Sequence, residues 1–219
     1  MKKVMFCKRL NRKYQTKSIS MVIPYGAVLV GLYGFHSAWL SLGLYHFTIL
    51  LVMLAASRRG SIKSIWAGFN APAAIMLMPV CAIAAPLIIL LWPYMSPEHS
   101  SLQTILAGFG LEGISWYLFM ASFVTAQPIL EELYWRGYQR NDSRKLCLSD
   151  IAFGGYHALV LVRLIRWHWV VVALVVVVAA GYLWRQINNR FGGLAVCILS
   201  HICADAAFVV AAQVLISRP

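Results

Sequence analysis

Long apolar runs alternate with short clusters of charge along this chain. No charged residue interrupts Met21 to Ala56, a stretch too long for one membrane span and suited to two short helices with a turn near Ser41 to Gly43. A third helix is predicted within Asn70 to Tyr94, a fourth from about Glu112 to Arg136, and a fifth from about Leu146 to Val162. A sixth occupies Trp169 to Trp184 and a seventh runs from about Phe191 to Ser217. Glu98 to Gly110 fits a loop, an interfacial helix or the start of the fourth span. The sixth run, "VVVALVVVVAAG", is almost wholly aliphatic and is expected to face lipid. Unpaired backbone groups are very costly in hydrocarbon, so these runs must be helices rather than open strands. The pattern therefore predicts an all-α, polytopic integral membrane helix bundle of about seven transmembrane helices.

Composition agrees. Hydrophobic residues make up 61% and charged residues 12% of the 219 positions, against roughly 45 to 50% apolar in soluble domains. No soluble domain of useful size remains. The distribution of Lys and Arg sets an orientation. With the N-terminus cytoplasmic, sixteen of the nineteen fall inside: seven in the N-terminal tail, then Arg58, Arg59, Lys63, Arg136, Arg140, Arg144, Lys145, Arg185 and Arg190. Only Arg163, Arg166 and Arg218 fall outside. The net charge of +12 then reflects insertion into a lipid bilayer with an anionic surface, and no nucleic-acid partner is needed to explain it. The basic start "MKKVMFCKRLNRKYQTKSIS" leads into a long apolar run without a small-residue cleavage site, which reads as an uncleaved first span. The C-terminal "ISRP" holds no lipidation box. Five cysteines, Cys7, Cys81, Cys147, Cys197 and Cys203, form no CxxC pair and read as small buried hydrophobes. The expected setting is a bacterial plasma membrane; nothing in the sequence fixes an oligomeric state.

Several polar groups interrupt the spans. Glu131 and Glu132 lie on the fourth, Asp150 and His157 on the fifth, His201 and Asp205 on the seventh. Each acid at a helix centre costs on the order of 2.5 to 3.5 kcal/mol in lipid. Arg136 lies five residues from Glu131, Lys145 twelve from His157 and Arg190 eleven from His201. At about 1.5 Å per residue these groups stand roughly 7 to 18 Å in from the same membrane face. Three segments thus aim polar groups into one half of the bilayer, as a shared site requires. Glu132 and Arg136 are i and i+4, the favourable order for an ion pair, while Glu131 points about 100° away round the helix. His201 and Asp205 share a face, as do Phe153 and His157.

In order and spacing, "EELYWR" (131–136), "FGGYH" (153–157) and "HICAD" (201–205) resemble the EExxxR, FxxxH and HxxxN/D motifs of the CPBP family, the CAAX protease and bacteriocin-processing (Abi) intramembrane endopeptidases. The resemblance covers about the last half of the chain. The expected division of the chain is a basic cytoplasmic segment over 1–20, accessory transmembrane helices over 21–110, which the resemblance leaves unexplained, and a catalytic helical core over 111–219. The resemblance also implies hydrolysis of a peptide bond in a peptide or protein substrate at the membrane. Glu131 would be the general base, His157 would hold the attacking water, and His201 with Asp205 would form the oxyanion side. Glu132, Arg136 and Phe153 would give structural support. Prenyl-protein members typically carry Asn where this chain has Asp205; an ionised aspartate cannot donate to an oxyanion, whereas a protonated one can, and either form can orient His201. The glutamate-water scheme requires no cofactor. Two histidines with carboxylates also form a zinc-type ligand set, and the sequence leaves the metal question open.

Each residue also has an ordinary structural role. A Glu pair at a helix end caps or pairs with a cation. His36 and His46 read as packing or interface residues, Asp150 as a cap, and Glu98 and Glu112 as boundary charges. Phe153 reads as packing on the histidine's face, and Gly154 and Gly155 as sites of close helix approach. Tyr134 and Trp135 fit an interfacial aromatic belt. The chain lacks the HExxH of zinc intramembrane proteases, the GxSG of rhomboids and the GxGD of aspartyl types. A proton- or ion-coupled transporter and a noncatalytic scaffold or immunity protein of the same fold are the alternatives.

Overall fold

The computed structural model describes residues 18–55, 65–98 and 101–217. Most of the basic tail, Cys7, Arg58, Arg59, Lys63 and Arg218 lie outside the described residues. Every regular element among the described residues is helical. Helix α1 (Ile23–Val28) runs directly into a π-helical turn (Leu29–Gly34), followed by α2 (Ala38–Ala55). The turn between them therefore lies at 35–37, and not at Ser41 to Gly43, which sit inside α2. His36 takes a positive φ of 49° there, and the Ser37 hydroxyl caps α2 by accepting from the Leu40 amide at 3.2 Å. The small Ser41 serves packing instead: it lies so close to Gly31 that a Cβ on the glycine would overlap its backbone.

Helices α3 (Ala71–Ala82) and α4 (Ala84–Met95) form one apolar rod with a jog at Ile83. Pro86 lies four residues after Ala82, where its ring opposes that carbonyl and its missing N–H breaks the ladder. The rod starts where Asn70 accepts from the Ala73 amide at 2.8 Å. The ambiguous stretch after Glu98 holds a single short helix, α5 (Leu102–Ala107). Helix α6 (Gly113–Glu131) passes into a second π-helical turn (Glu132–Tyr138). Then come α7 (Leu148–Leu161), α8 (Trp167–Phe191) and α9 (Ala195–Ile216). Helix α8 outruns its predicted end at Trp184 and stops at Gly192, whose φ of 78° suits glycine.

Five of these helices are long and apolar enough to cross a membrane: Ala38–Ala55, Ala71–Met95, Gly113–Tyr138, Trp167–Phe191 and Ala195–Ile216. The remaining two expected spans are shorter apolar segments, Ser18–Gly34 and Leu148–Leu161. The 14 residues of α7 rise about 21 Å, less than the roughly 30 Å of a hydrocarbon core. Lipid is the natural solvent for the outer surface, where Val171, Val172, Val175 and Val176 of α8 and Ile75 and Met76 of α3 are exposed. The chain is an integral membrane protein.

The helix ends segregate into two sets, as alternating spans require. At one end, Arg163 lies over the rings of Tyr33 and Phe109 at 5.4 and 5.6 Å. Arg166 there donates to the Ser96 carbonyl at 2.8 Å and stands 3.7 Å from Glu98. At the other, the Leu194 amide donates to Ile65 at 3.0 Å and Tyr182 to the Arg144 carbonyl at 2.9 Å. Helix α7 packs along α8, while α9 lies against α3, α4 and α6. A Cβ on Gly154 would collide with Val178 of α8, and one on Gly155 with the Tyr25 hydroxyl, so both glycines permit close approach as their type predicts. Of the four described cysteines only Cys197 is buried; Cys81, Cys147 and Cys203 are half-buried.

Candidate active site

The residues that close the α6 span are interior. Glu131 and Glu132 have no exposed surface, and Arg136 is buried beside them. Tyr134 and Trp135 are buried too, which overturns their expected place in an interfacial belt. The π-helical turn brings these side chains inward, where each polar tip finds a partner. Tyr134 donates to the Ser20 carbonyl at 2.6 Å and Trp135 to the Tyr45 hydroxyl at 3.0 Å. π-Helical turns recur at functional sites in helices.

The two adjacent carboxylates divide one imidazole between them. His201, from the first turns of α9, places Nδ1 2.9 Å from Glu132 Oε1 and Nε2 3.6 Å from Glu131 Oε2. Its Nε2 also lies 3.6 Å from Oδ1 of Asp205, one turn further along α9. A carboxylate accepts, so Nδ1–H donates to Glu132. Glu132 Oε1 accepts again from Arg136 at 3.0 Å. The guanidinium lies 4.1 Å above the Phe153 ring and 5.2 Å from Trp184, a cation–π seat in a dry interior. Trp184 in turn stacks on His201 at 4.3 Å between ring centroids. Glu132, Arg136 and Phe153 thus form one buried cluster beside His201.

Glu131 has its own environment. Its Oε1 accepts from the Gln127 amide at 2.6 Å and from the Tyr156 hydroxyl. Its Oε2 is buried without a hydrogen-bond partner among the described residues, as are Glu132 Oε2 and Asp205 Oδ2. Buried polar atoms are ordinarily satisfied, and each of these three belongs to a carboxylate that comes within 3.6 Å of His201. His157, half-buried on α7, packs against Tyr156 and Phe153 at 4.1 and 4.9 Å between centroids. Glu131, His201 and Arg136 are all within its electrostatic reach. Its Nδ1 lies 2.7 Å from the Phe153 carbonyl. A carbonyl only accepts, so Nδ1 carries the proton and Nε2 of the neutral ring is an acceptor.

Asp150 does cap α7, accepting from the Cys147 amide at 2.9 Å. It also pairs at 2.6 Å with Arg185, which is itself buried. Among the described residues no group of three or more His, Cys, Asp or Glu side chains is spaced to hold a metal ion. The residues that spacing did not reveal are Gln127, Tyr156, Tyr45 and His46. His46 has the pattern of a packing or interface residue, but it lies 2.6 Å from the Gln127 carbonyl oxygen. The available signal is Gln127 itself, an amide side chain one turn before Glu131 in a run whose other polar residues are the small Ser122 and Thr125.

Residues 113–207 match a family model, the Rce1-like type II CAAX prenyl endopeptidases. The match spans all three motifs and just under half of the chain, and over this segment it shows the resemblance to the CPBP family. No curated protein and no solved structure matches the chain.

Proposed function

From this Rce1-like segment and the geometry around it, we propose that the chain is an intramembrane endopeptidase that cleaves a peptide bond by glutamate-activated water. The observation that carries the reading is the asymmetry of Glu131: two donors hold Oε1, while buried Oε2 faces His201 with no hydrogen bond of its own. A carboxylate so held presents one basic lone pair in a fixed direction, as a general base must.

The water donates one hydrogen to Glu131 Oε2 and the other to His157 Nε2, leaving an oxygen lone pair directed at the scissile carbonyl carbon. As that oxygen bonds to carbon, its proton passes to Glu131 and the carbonyl oxygen becomes an oxyanion. With Nδ1–H committed to Glu132, His201 donates to the oxyanion from Nε2 as an imidazolium, and a protonated Asp205 offers a second donor. Collapse breaks the C–N bond, and the proton held by Glu131 moves to the departing nitrogen. No serine or cysteine acyl-enzyme is involved, and no step is routed through a metal. The family description makes a prenylated C-terminal peptide the first substrate to try.

The test is cleavage of quenched fluorescent peptides, a farnesylated CAAX peptide among them, by the purified protein in lipid nanodiscs. Wild type is compared with Glu131→Ala, His157→Ala and His201→Ala, with and without a chelator. We expect cleavage by wild type alone, insensitive to chelation. Equal activity in all four proteins ends the catalytic reading. Loss on chelation with rescue by zinc replaces the water scheme with a metal one. Glu131-dependent solute flux in liposomes without cleavage makes the chain a transporter.

A further inference from the structure

The family match begins at residue 113, yet the hydrogen bonds that orient Glu131 begin before it. His46, in the middle of α2, lies with Nε2 2.6 Å from Gln127 Oε1. A carbonyl oxygen only accepts, so Nε2–H donates. This fixes the amide plane of Gln127 with its nitrogen turned the other way, and that nitrogen donates to Glu131 Oε1 at 2.6 Å. Gln127 is buried while His46 is half-buried, so the chain of bonds runs from the margin of the bundle to a carboxylate with no exposed surface. An amide cannot pass a proton along this line without tautomerising, and the arrangement is therefore a means of orientation.

We propose that His46 is a positioning residue that acts through Gln127. By locking the amide it commits Glu131 Oε1 to donors and leaves Oε2 as the basic atom that faces His201. Without the His46 donor the Gln127 amide rotates freely about its terminal torsion, and its oxygen can turn toward the carboxylate, where it repels. The carboxylate then keeps its phenolic neighbours Tyr156 and Tyr45 but loses the amide donor that fixes its plane. The accessory helix α2 is thus part of the reactive apparatus. The proposal rests on reading Glu131 as the base, but its first test does not use a substrate.

That test is the antisymmetric carboxylate stretch of Glu131 in the infrared, identified as the band missing from Glu131→Gln, in protein reconstituted in nanodiscs. His46→Phe keeps the ring volume without the donor, Gln127→Met keeps the side-chain length without the amide, and His46→Gln restores an N–H at about the position of Nε2. We expect the antisymmetric carboxylate stretch to shift in His46→Phe and Gln127→Met, because weakening or removing a donor on Oε1 changes the inequality of the two C–O bonds, and to return to the wild-type position in His46→Gln. On a peptide that wild type cleaves, His46→Phe should lower kcat about tenfold, the value of roughly one hydrogen bond, with KM unchanged and with recovery in His46→Gln. A His46→Phe band at the wild-type frequency while Gln127→Met shifts it overturns the proposal, as does an unchanged kcat. If no variant of Glu131 affects cleavage but the band shifts as described, the hydrolase reading falls and the orienting role of His46 stands.

Discussion

The two neighbouring glutamates should give opposite results when each loses its charge. In Glu132→Gln the side chain keeps its shape, but Arg136, 2% exposed, loses the only carboxylate within ion-pair distance among the described residues. Removing one partner of a buried pair costs about 3 to 5 kcal/mol. Two features reduce that figure here. The amide oxygen still accepts one charge-assisted bond, and the guanidinium keeps its place over Phe153 at 4.1 Å, which is worth up to about 2 kcal/mol when desolvated. The expected loss is therefore about 2 to 4 kcal/mol. Glu131→Gln takes no carboxylate from Arg136, and His201, 3.6 Å from Glu131, keeps its closer carboxylate, Glu132, at 2.9 Å. Its amide oxygen still accepts from Gln127 and Tyr156, and stability should stay within about 1 kcal/mol of wild type, while cleavage falls by about 10²- to 10⁴-fold for a lost general base. The assay is SDS-induced unfolding followed by tryptophan fluorescence, paired with peptide cleavage on the same preparations. If Glu131→Gln unfolds as early as Glu132→Gln, or Glu132→Gln unfolds with wild type, the division of the pair into one base and one brace is refuted.

Tyr156→Phe removes a single donor from Glu131 Oε1 and should lower kcat about tenfold with little change in unfolding, as stopped-time cleavage assays would show. Asp150→Asn strips the charge opposite Arg185, which also donates to the carbonyls of Ser143 and Lys145. Unfolding should come about 2 to 4 kcal/mol earlier, whereas Asp150→Leu with Arg185→Met should recover most of the loss; a double variant no better than the single contradicts this account. Gly154→Val drives a side chain into Val178 and should cost at least about 1 kcal/mol by overpacking, measured as a lower melting temperature in detergent.

The three motifs could be read from the sequence because their partners lie within a helical turn of each other, so their spacing alone puts Glu132 beside Arg136 and His201 beside Asp205. Their convergence could also be anticipated, since ionisable groups in a bilayer must meet something. Gln127 and His46 are not legible for a related reason: an uncharged amide marks no charge that must be paired, and a lone histidine has the pattern of a packing or interface residue. Their bond joins residues 81 positions apart, which no local pattern encodes. Tyr134 and Trp135 beside an arginine have the composition of a membrane interface, and only the widened turn that carries them shows that they point inward. Ser41 and Gly43 failed as turn markers because small residues serve both turns and close packing, and here Gly31 had claimed the serine as a neighbour.

The widened turn at 132–138 also bears on descent. Such a coil holds one residue more than its α-helical equivalent, and the burial of Tyr134, Trp135 and Tyr138 depends on that wider pitch. Excising a single residue downstream of Arg136 would let the coil relax to the narrower pitch. The glutamates would stay in place, but Tyr138 and the strand of chain leading to Arg185 would rotate away. A gap in this stretch therefore ought to be far rarer among relatives than any substitution on the lipid-facing side of α8.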